Sequence, residues 1–151
     1  MNNMTDNMLL NTLPDESKAR IFPQLKPVHL PLGKVIYESG QSLKLVYFPT
    51  DSIVSLLYEI ENGSSAEISI VGNDGMLGIA VFMGGESMPS RAVVQSAGNA
   101  FFLPAAILKK EFNNNPSIRL ILLRYVQALI AQIAQTAVCN RHHTIEQQLC
   151  R

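Results

Sequence analysis

Two glycines and one arginine are the residues best suited to chemistry. Gly75 and Gly78 close and follow the turn-forming run Gly72-Asn73-Asp74-Gly75, and Arg91 opens the apolar run Arg91-Ala92-Val93-Val94. Glycines let backbone N–H groups converge on an anion, and a guanidinium pairs with it through charge-assisted hydrogen bonds. That chemistry is anion binding rather than bond making. The competing reading of Arg91 is a strand arginine that lays its stem along the surface or pairs with an acid such as Glu67.

Other reactive side chains form no constellation. No serine, histidine and acid follow in a nucleophile order, and there is no Walker loop; the Gly72–Gly75 run lies in a strand corner rather than before a Rossmann helix. Of the three histidines only His29 precedes the last third of the chain, and a metal enzyme housed in a β-barrel needs several histidines and a carboxylate together. His142 and His143 read as solvated or capping residues. Neither a catalytic residue nor a metal ligand is assigned.

The composition narrows the function class. Twelve basic and twelve acidic residues cancel in a chain of 151, and without a run of like charges this segment alone has no grip on DNA. The length suits one domain with appendages. A hydrophobic share of 47% against 16% charged is more apolar surface than a small monomer hides easily, which points to a second subunit. Cys139 and Cys150 form no C-x-x-C pair and no leader is evident in the Asn-rich start, so a reducing cytoplasm is expected. Arg124, Gln127, Gln132 and Gln135 interrupt the most apolar stretch and argue against a membrane span.

The elements that must position Gly75, Gly78 and Arg91 follow from local patterns. Leu9, Leu10 and Leu13, then Pro14-Asp15-Glu16-Ser17, predict short helical pieces, ended by Pro23, Pro27 and Pro31. Residues 32–103 are rich in Val, Ile, Tyr and Phe with glycine punctuation, the texture of an all-β sandwich or barrel. Strands are expected near 34–38, 44–48, 52–59, 65–71, 77–82, 91–96 and 99–103, with a hairpin at Glu61-Asn62-Gly63. Asn115-Pro116 supplies a cap and a first residue for a long helix reaching about Arg141.

On that helix Ile118, Leu122, Leu123, Val126, Leu129, Ile130, Ile133 and Ala134 cover roughly 160° of arc, wider than the ~100° stripe of a helix facing one core. The arc divides into two seams. Leu122, Val126, Leu129 and Ile133 form one, and Leu123, Val126, Ile130, Ile133 and Ala137 the other. Exposing one of them would forgo about 1.5–3 kcal/mol per large side chain, so a symmetric pair of helices is favoured. A single core helix wrapped by its own domain is the alternative. Thr144-Ile145-Glu146-Gln147 then has capping-box spacing, as if another helix begins where the chain stops.

In that order the segments Pro31-Leu32-Gly33-Lys34-Val35-Ile36-Tyr37-Glu38-Ser39-Gly40, Tyr47-Phe48-Pro49, Val71 to Gly78, Arg91-Ala92-Val93 and Cys139-Asn140-Arg141-His142-His143 make nearly the whole chain resemble the Crp/Fnr family of bacterial transcription regulators. The resemblance implies a mainly β fold: a cyclic-nucleotide-binding β-roll (jelly roll) with short N-terminal helices and a long C-terminal dimerisation helix. It also implies 1–114 as effector domain, 115–143 as dimer helix, and 144–151 as the start of a winged helix-turn-helix domain that would contact DNA.

By that resemblance Gly75, Met76, Leu77, Gly78, Arg91 and Ala92 stand in the phosphate-binding cassette, with Ile133 and Ala134 beside the ligand on the long helix. The family's cassette has a glutamate where Met76 stands, and cyclic-AMP-binding members offer hydroxyls at the positions of Ala92, Ile133 and Ala134. Losing four polar contacts at about 1 kcal/mol each weakens cyclic AMP binding about a thousandfold. A different small anion or nucleotide, or no ligand at all, is implied. Cysteines for an iron-sulfur cluster are lacking before residue 139. The expectation is therefore a non-catalytic sensory domain of a homodimeric regulator, with a ligand-free dimerisation module as the alternative.

Overall fold

In a computed structural model, residues 2–142 are described. Helices α1 (Met8–Asn11) and α2 (Asp15–Ile21) precede seven strands: β1 (Lys26–Leu30), β2 (Val35–Tyr37), β3 (Leu45–Pro49), β4 (Ile53–Glu59), β5 (Ser65–Val71), β6 (Arg91–Ser96) and β7 (Gly98–Pro104). Helices α3 (Ala105–Asn114) and α4 (Pro116–His142) complete the described chain. The expected helix from Thr144, together with His143 and Cys150, lies outside the described residues.

The strands form two antiparallel sheets, β1-β7-β3 and β2-β6-β4-β5. Between them Leu30, Tyr37, Val54, Leu56, Val71, Leu77, Ala92 and Val94 make the core of the roll. A second core packs Leu10, Ile21, Phe48, Met76, Phe82 and Leu103 against Leu108, Ile118, Leu122 and Val126 of the helices. Both cores satisfy the rule that a sheet buries one face and a helix one stripe. The fold is thus the expected β-roll with helices.

Three elements depart from the expected pattern. Strand β1 contains Pro27 and reads as coil, but it lies at a sheet edge, where the missing N–H costs no ladder bond. The run expected as a strand at 77–82 instead makes a single bridge, Tyr47 to Leu77, and then a 3-10 turn at Ile79–Val81. Gly78, at φ 101°, turns the chain out of extended geometry there. An apolar run this short cannot distinguish a strand from a buried turn by periodicity. Helix α3 (Ala105–Asn114) occupies residues that carried no helical expectation, Phe112-Asn113-Asn114 having the residue types of a loop.

Elsewhere the local chemistry acts as expected. Asn115 Oδ1 accepts the Ser117 and Ile118 amides at 3.0 and 3.3 Å, capping α4. Gly63 sits at φ 85° in the β4–β5 hairpin. In α4, Ile118, Leu122, Val126 and Leu129 are buried on the roll, while Leu120, Leu123, Ile130 and Val138 are exposed. Val126, expected in both seams, faces the second core. By length and composition Pro116–Cys139 is apolar enough to cross a membrane, yet its apolar residues are divided between the roll and an outward seam.

The N-terminal segment is pinned by one buried amide. Asn7 is fully buried; its Nδ2 donates to Pro49 O at 2.8 Å and to Gly75 O at 2.9 Å, and its Oδ1 accepts the Leu10 amide at 3.0 Å. One side chain therefore caps α1 and holds both β3 and the Gly75 corner. Replacing Asn7 with alanine orphans two buried carbonyls, and the expected loss is about 2–4 kcal/mol in urea unfolding. Asn7→Asp keeps the cap but not the donors and should lose nearly as much; a loss below about 1 kcal/mol for both variants would contradict this role.

Candidate functional site

The corner after β5 is built by its carbonyls. Gly75 N donates to Gly72 O at 3.3 Å, closing the turn. Gly75 O accepts from Asn7, Met76 O accepts the Tyr125 hydroxyl at 3.0 Å, and Leu77 O accepts the Tyr47 amide at 3.2 Å. Helix α4, the N-terminal segment and β3 thus each hold one successive peptide. No peptide here is cis, and in a trans peptide N–H points opposite to C=O, so the amides of Met76 and Gly78 point away from the Asn7 and Tyr47 donors.

Close packing makes the glycines necessary. A Cβ on Gly75 would lie 2.5 Å from the Tyr125 hydroxyl and 2.6 Å from its ring, and one on Gly78 would meet Val46 at 3.1 Å. Burial pushes the Tyr125 hydroxyl up to about 12, so it remains a donor throughout the neutral range. Burial also raises the hydroxyl of Tyr37, with the nearby Tyr125 adding to it.

Arg91, at the start of β6, meets Glu38 rather than Glu67. Nη2 donates to Glu38 Oε1 at 3.2 Å, and Nε lies 3.2 Å from Oε2 without hydrogen-bond alignment. Glu67 instead lies 2.8 Å from the Ser55 hydroxyl, which is also 2.8 Å from Gln95 Oε1 and can donate to only one of them at a time. The residues flanking Glu38 are fastened to the segment before Arg91: Ser39 Oγ to Pro89 O at 2.8 Å, Gly40 N to Met88 O and Leu43 N to Glu86 O, both at 2.9 Å.

The six cassette residues do not all face one space. Met76 is 1% exposed and packs with Leu9, Phe48 and Phe82, so its side chain belongs to the second core rather than standing where a sugar contact would be offered. Leu77 and Ala92 belong to the roll core. Gly75 and Gly78 are buried as well, so of the six only Arg91 keeps part of its side chain at the surface. On α4, Ile133 is half-buried and Ala134 exposed.

Polar groups that sequence reasoning did not assign line a cavity of about 370 Å³ between β5 and α4: Glu67, Ser69, Gln132, Gln135 and Thr136, with Ile70. The Ser69 hydroxyl donates to Gln132 Oε1. A second cavity of about 220 Å³ shares Ile70 and Gln132 with it and reaches Asp74 and Tyr125, back to the corner. The signal was present in the helix: Tyr125, Gln132 and Thr136 recur at helical spacing along one face. Among the described residues, no three His, Cys, Asp or Glu side chains are grouped so as to hold a metal ion.

Comparison with known proteins places this geometry. The family model of the cyclic nucleotide-binding domain matches residues 27–115, more than half of the chain. No curated protein matches by sequence. The fold is similar to a regulatory protein from Silicibacter pomeroyi DSS-3 (TM-score 0.67, 18% identity, 87% of this chain), of whose length the chain spans 62%. It is similar also to the c-di-GMP responsive global regulator CLP of Xanthomonas campestris (TM-score 0.72, 12% identity, 91% of this chain and 70% of that one). The N-terminal domain of a transcriptional regulator from Streptomyces coelicolor A3(2) matches at TM-score 0.63 and 17% identity, over 94% of this chain and all of that one. With its matched segment spanning β1 to α3 and enclosing the Gly75–Arg91 corner, this chain belongs to the cyclic nucleotide-binding domain family.

Proposed function

We propose that the chain is the sensory and dimerisation domain of a Crp/Fnr-type transcription regulator, cytoplasmic and non-catalytic, with a small anionic effector of the nucleotide class. The observation that carries this reading is the bond from Tyr125 on α4 to Met76 O in the cassette. It ties the element that would hold the anion to the helix that would pair with a second copy. In this reading Gly75, Gly78 and Arg91 contact the effector, and Met76, Leu77 and Ala92 support the corner from within. Ile133 and Ala134 lie near the effector on α4, with the Ser69–Gln132 pair as a further candidate contact.

A second copy is to cover Leu123, Ile130, Ile133 and Ala137, with the exposed Leu120 and Val138 extending the seam, while Val126, expected among them, is buried in the second core. DNA is to be reached through a domain outside this chain, in keeping with a neutral net charge. The effector-domain, helix and DNA-domain boundaries at 114 and 143 belong to the same proposal. Relatives of the same fold support a regulatory role, and one of them is described as c-di-GMP responsive. The alternative is a ligand-free dimerisation module, favoured by the burial of Met76 and Ala92 and by the Glu38 partner of Arg91.

Titration calorimetry with cyclic AMP, cyclic GMP and cyclic di-GMP is expected to find one that binds, with cyclic AMP not the tightest, and Arg91→Gln is expected to weaken it at least about tenfold. No heat from any of the three at millimolar concentration favours the ligand-free module. Sedimentation equilibrium is expected to show a dimer at micromolar concentration, and Leu123→Glu with Ile130→Glu a folded monomer; a parent chain that is already monomeric contradicts the seam's role. In Tyr125→Phe, effector affinity is expected to stay within about threefold while effector-dependent protection of α4 amides from hydrogen exchange disappears, since one hydrogen bond of about 1 kcal/mol is removed. Undiminished α4 protection would show that coupling runs elsewhere.

A further inference from the structure

The carboxylate of Glu38 spans two nitrogens of the Arg91 guanidinium, reaching Nη2 and Nε each at 3.2 Å. That fork is the edge with which an arginine grips a carboxylate or a phosphate. The two partners are not equally fixed. The Arg91 side chain is 27% exposed with its Nε atom buried, whereas the Glu38 side chain is 54% exposed. The backbone around Glu38 is fastened without its carboxylate, through Ser39, Gly40 and Leu43 to the 86–89 segment and through the Glu38 amide to Gln41 Oε1 at 2.9 Å. The carboxylate can therefore swing into water while the clasp beneath it stays closed.

The pairing also leaves polar demand unmet. Arg91 Nε and the neighbouring Ser90 Oγ are both buried without a hydrogen-bond partner among the described residues. Buried donors left unsatisfied are uncommon and costly. A carboxylate brings two acceptor oxygens, and a phosphoryl group brings more charge and more acceptors to the same fork.

We propose that Glu38 is a built-in competitor for Arg91, so that the cassette admits only an anion, phosphoryl rather than carboxylate, that can displace Glu38 from the guanidinium. This sets Glu38 as a specificity-determining residue, and it rests on the reading of Arg91 as an effector contact. The competitor holds Arg91 in place of the effector and sets a threshold that weak anions do not cross. A half-exposed pair contributes little net binding, so the threshold is low enough for a phosphodiester to overcome.

Calorimetry with cyclic AMP and cyclic di-GMP at fixed ionic strength, on the parent chain, Glu38→Gln, Arg91→Gln and the double variant, separates the possibilities. Glu38→Gln is expected to bind about two- to tenfold tighter, with binding lost in both variants that lack Arg91. Acetate, tested as a competitor of the nucleotide, is expected to compete better in Glu38→Gln than in the parent. Glu38→Ala provides a second variant, since a half-exposed side chain can be trimmed without opening a core cavity. Binding by Glu38→Gln alone, with a silent parent, supports the proposal in its strongest form. Equal affinities for parent and Glu38→Gln, both dependent on Arg91, overturn the competitor and leave Arg91 as the effector contact. Affinity unchanged in Arg91→Gln, or no binding by any variant, overturns both.

Discussion

The carbonyls of Gly75, Met76 and Leu77 lie where water has little access, and each must find a donor. The chain answers with Asn7, Tyr125 and Tyr47, drawn from its N-terminal segment, its long helix and a strand of the opposite sheet. That requirement ties three separate regions to one turn. It demands a glycine at position 75, where the Tyr125 ring leaves no room for a Cβ. It also sends alternate amides the other way, which is the condition for a backbone anion site. The corner is thus shaped by satisfying its acceptors.

Helix α4 serves two surfaces because its apolar arc is wider than one core can cover. Its inner side, from Ile118 to Val126, closes the second core. Beyond Leu129 the inner side turns polar, and Gln132 takes the Ser69 hydroxyl. The outer side leaves Leu120, Leu123, Ile130 and Val138 uncovered. Helix α4 contacts the corner at Tyr125, lines a polar cavity at Gln132 and exposes an apolar seam, and in the proposed reading it would convert a local change into a change of pairing. The conversion needs an effector with different affinity for two helix arrangements.

Much of this was legible before any coordinates, for physical reasons. Asn115-Pro116 can do little but start a helix, Asn62-Gly63 favours a hairpin, and the alternation of residues 52–59 and 65–71 fits half-buried strands. Gly75, Gly78 and Arg91 were also legible as residue types suited to an anion. Their surroundings were not. Met76 reads as an apolar residue at a ligand contact until its packing with Phe48 and Phe82 places it in a core. The partner of Arg91 is Glu38 and not Glu67, a choice made by strand order, since β6 lies between β2 and β4. Asn7 was passed over because an asparagine near a chain start usually signals only a cap, and its two long-range bonds are properties of the assembled fold.

The central claim is that the corner binds an anion on the side away from its three anchored carbonyls. Amide and arginine side-chain NMR during titration with cyclic di-GMP, and separately with cyclic AMP, tests it most directly. The account predicts that for at least one nucleotide the amides of Met76 and Gly78 and the Nε–H of Arg91 shift together and saturate at a common ligand concentration, while the Asn7 side-chain amide signals stay in place. Saturable shifts confined to other parts of the roll, or none at Met76, Gly78 and Arg91 with either nucleotide, would contradict it.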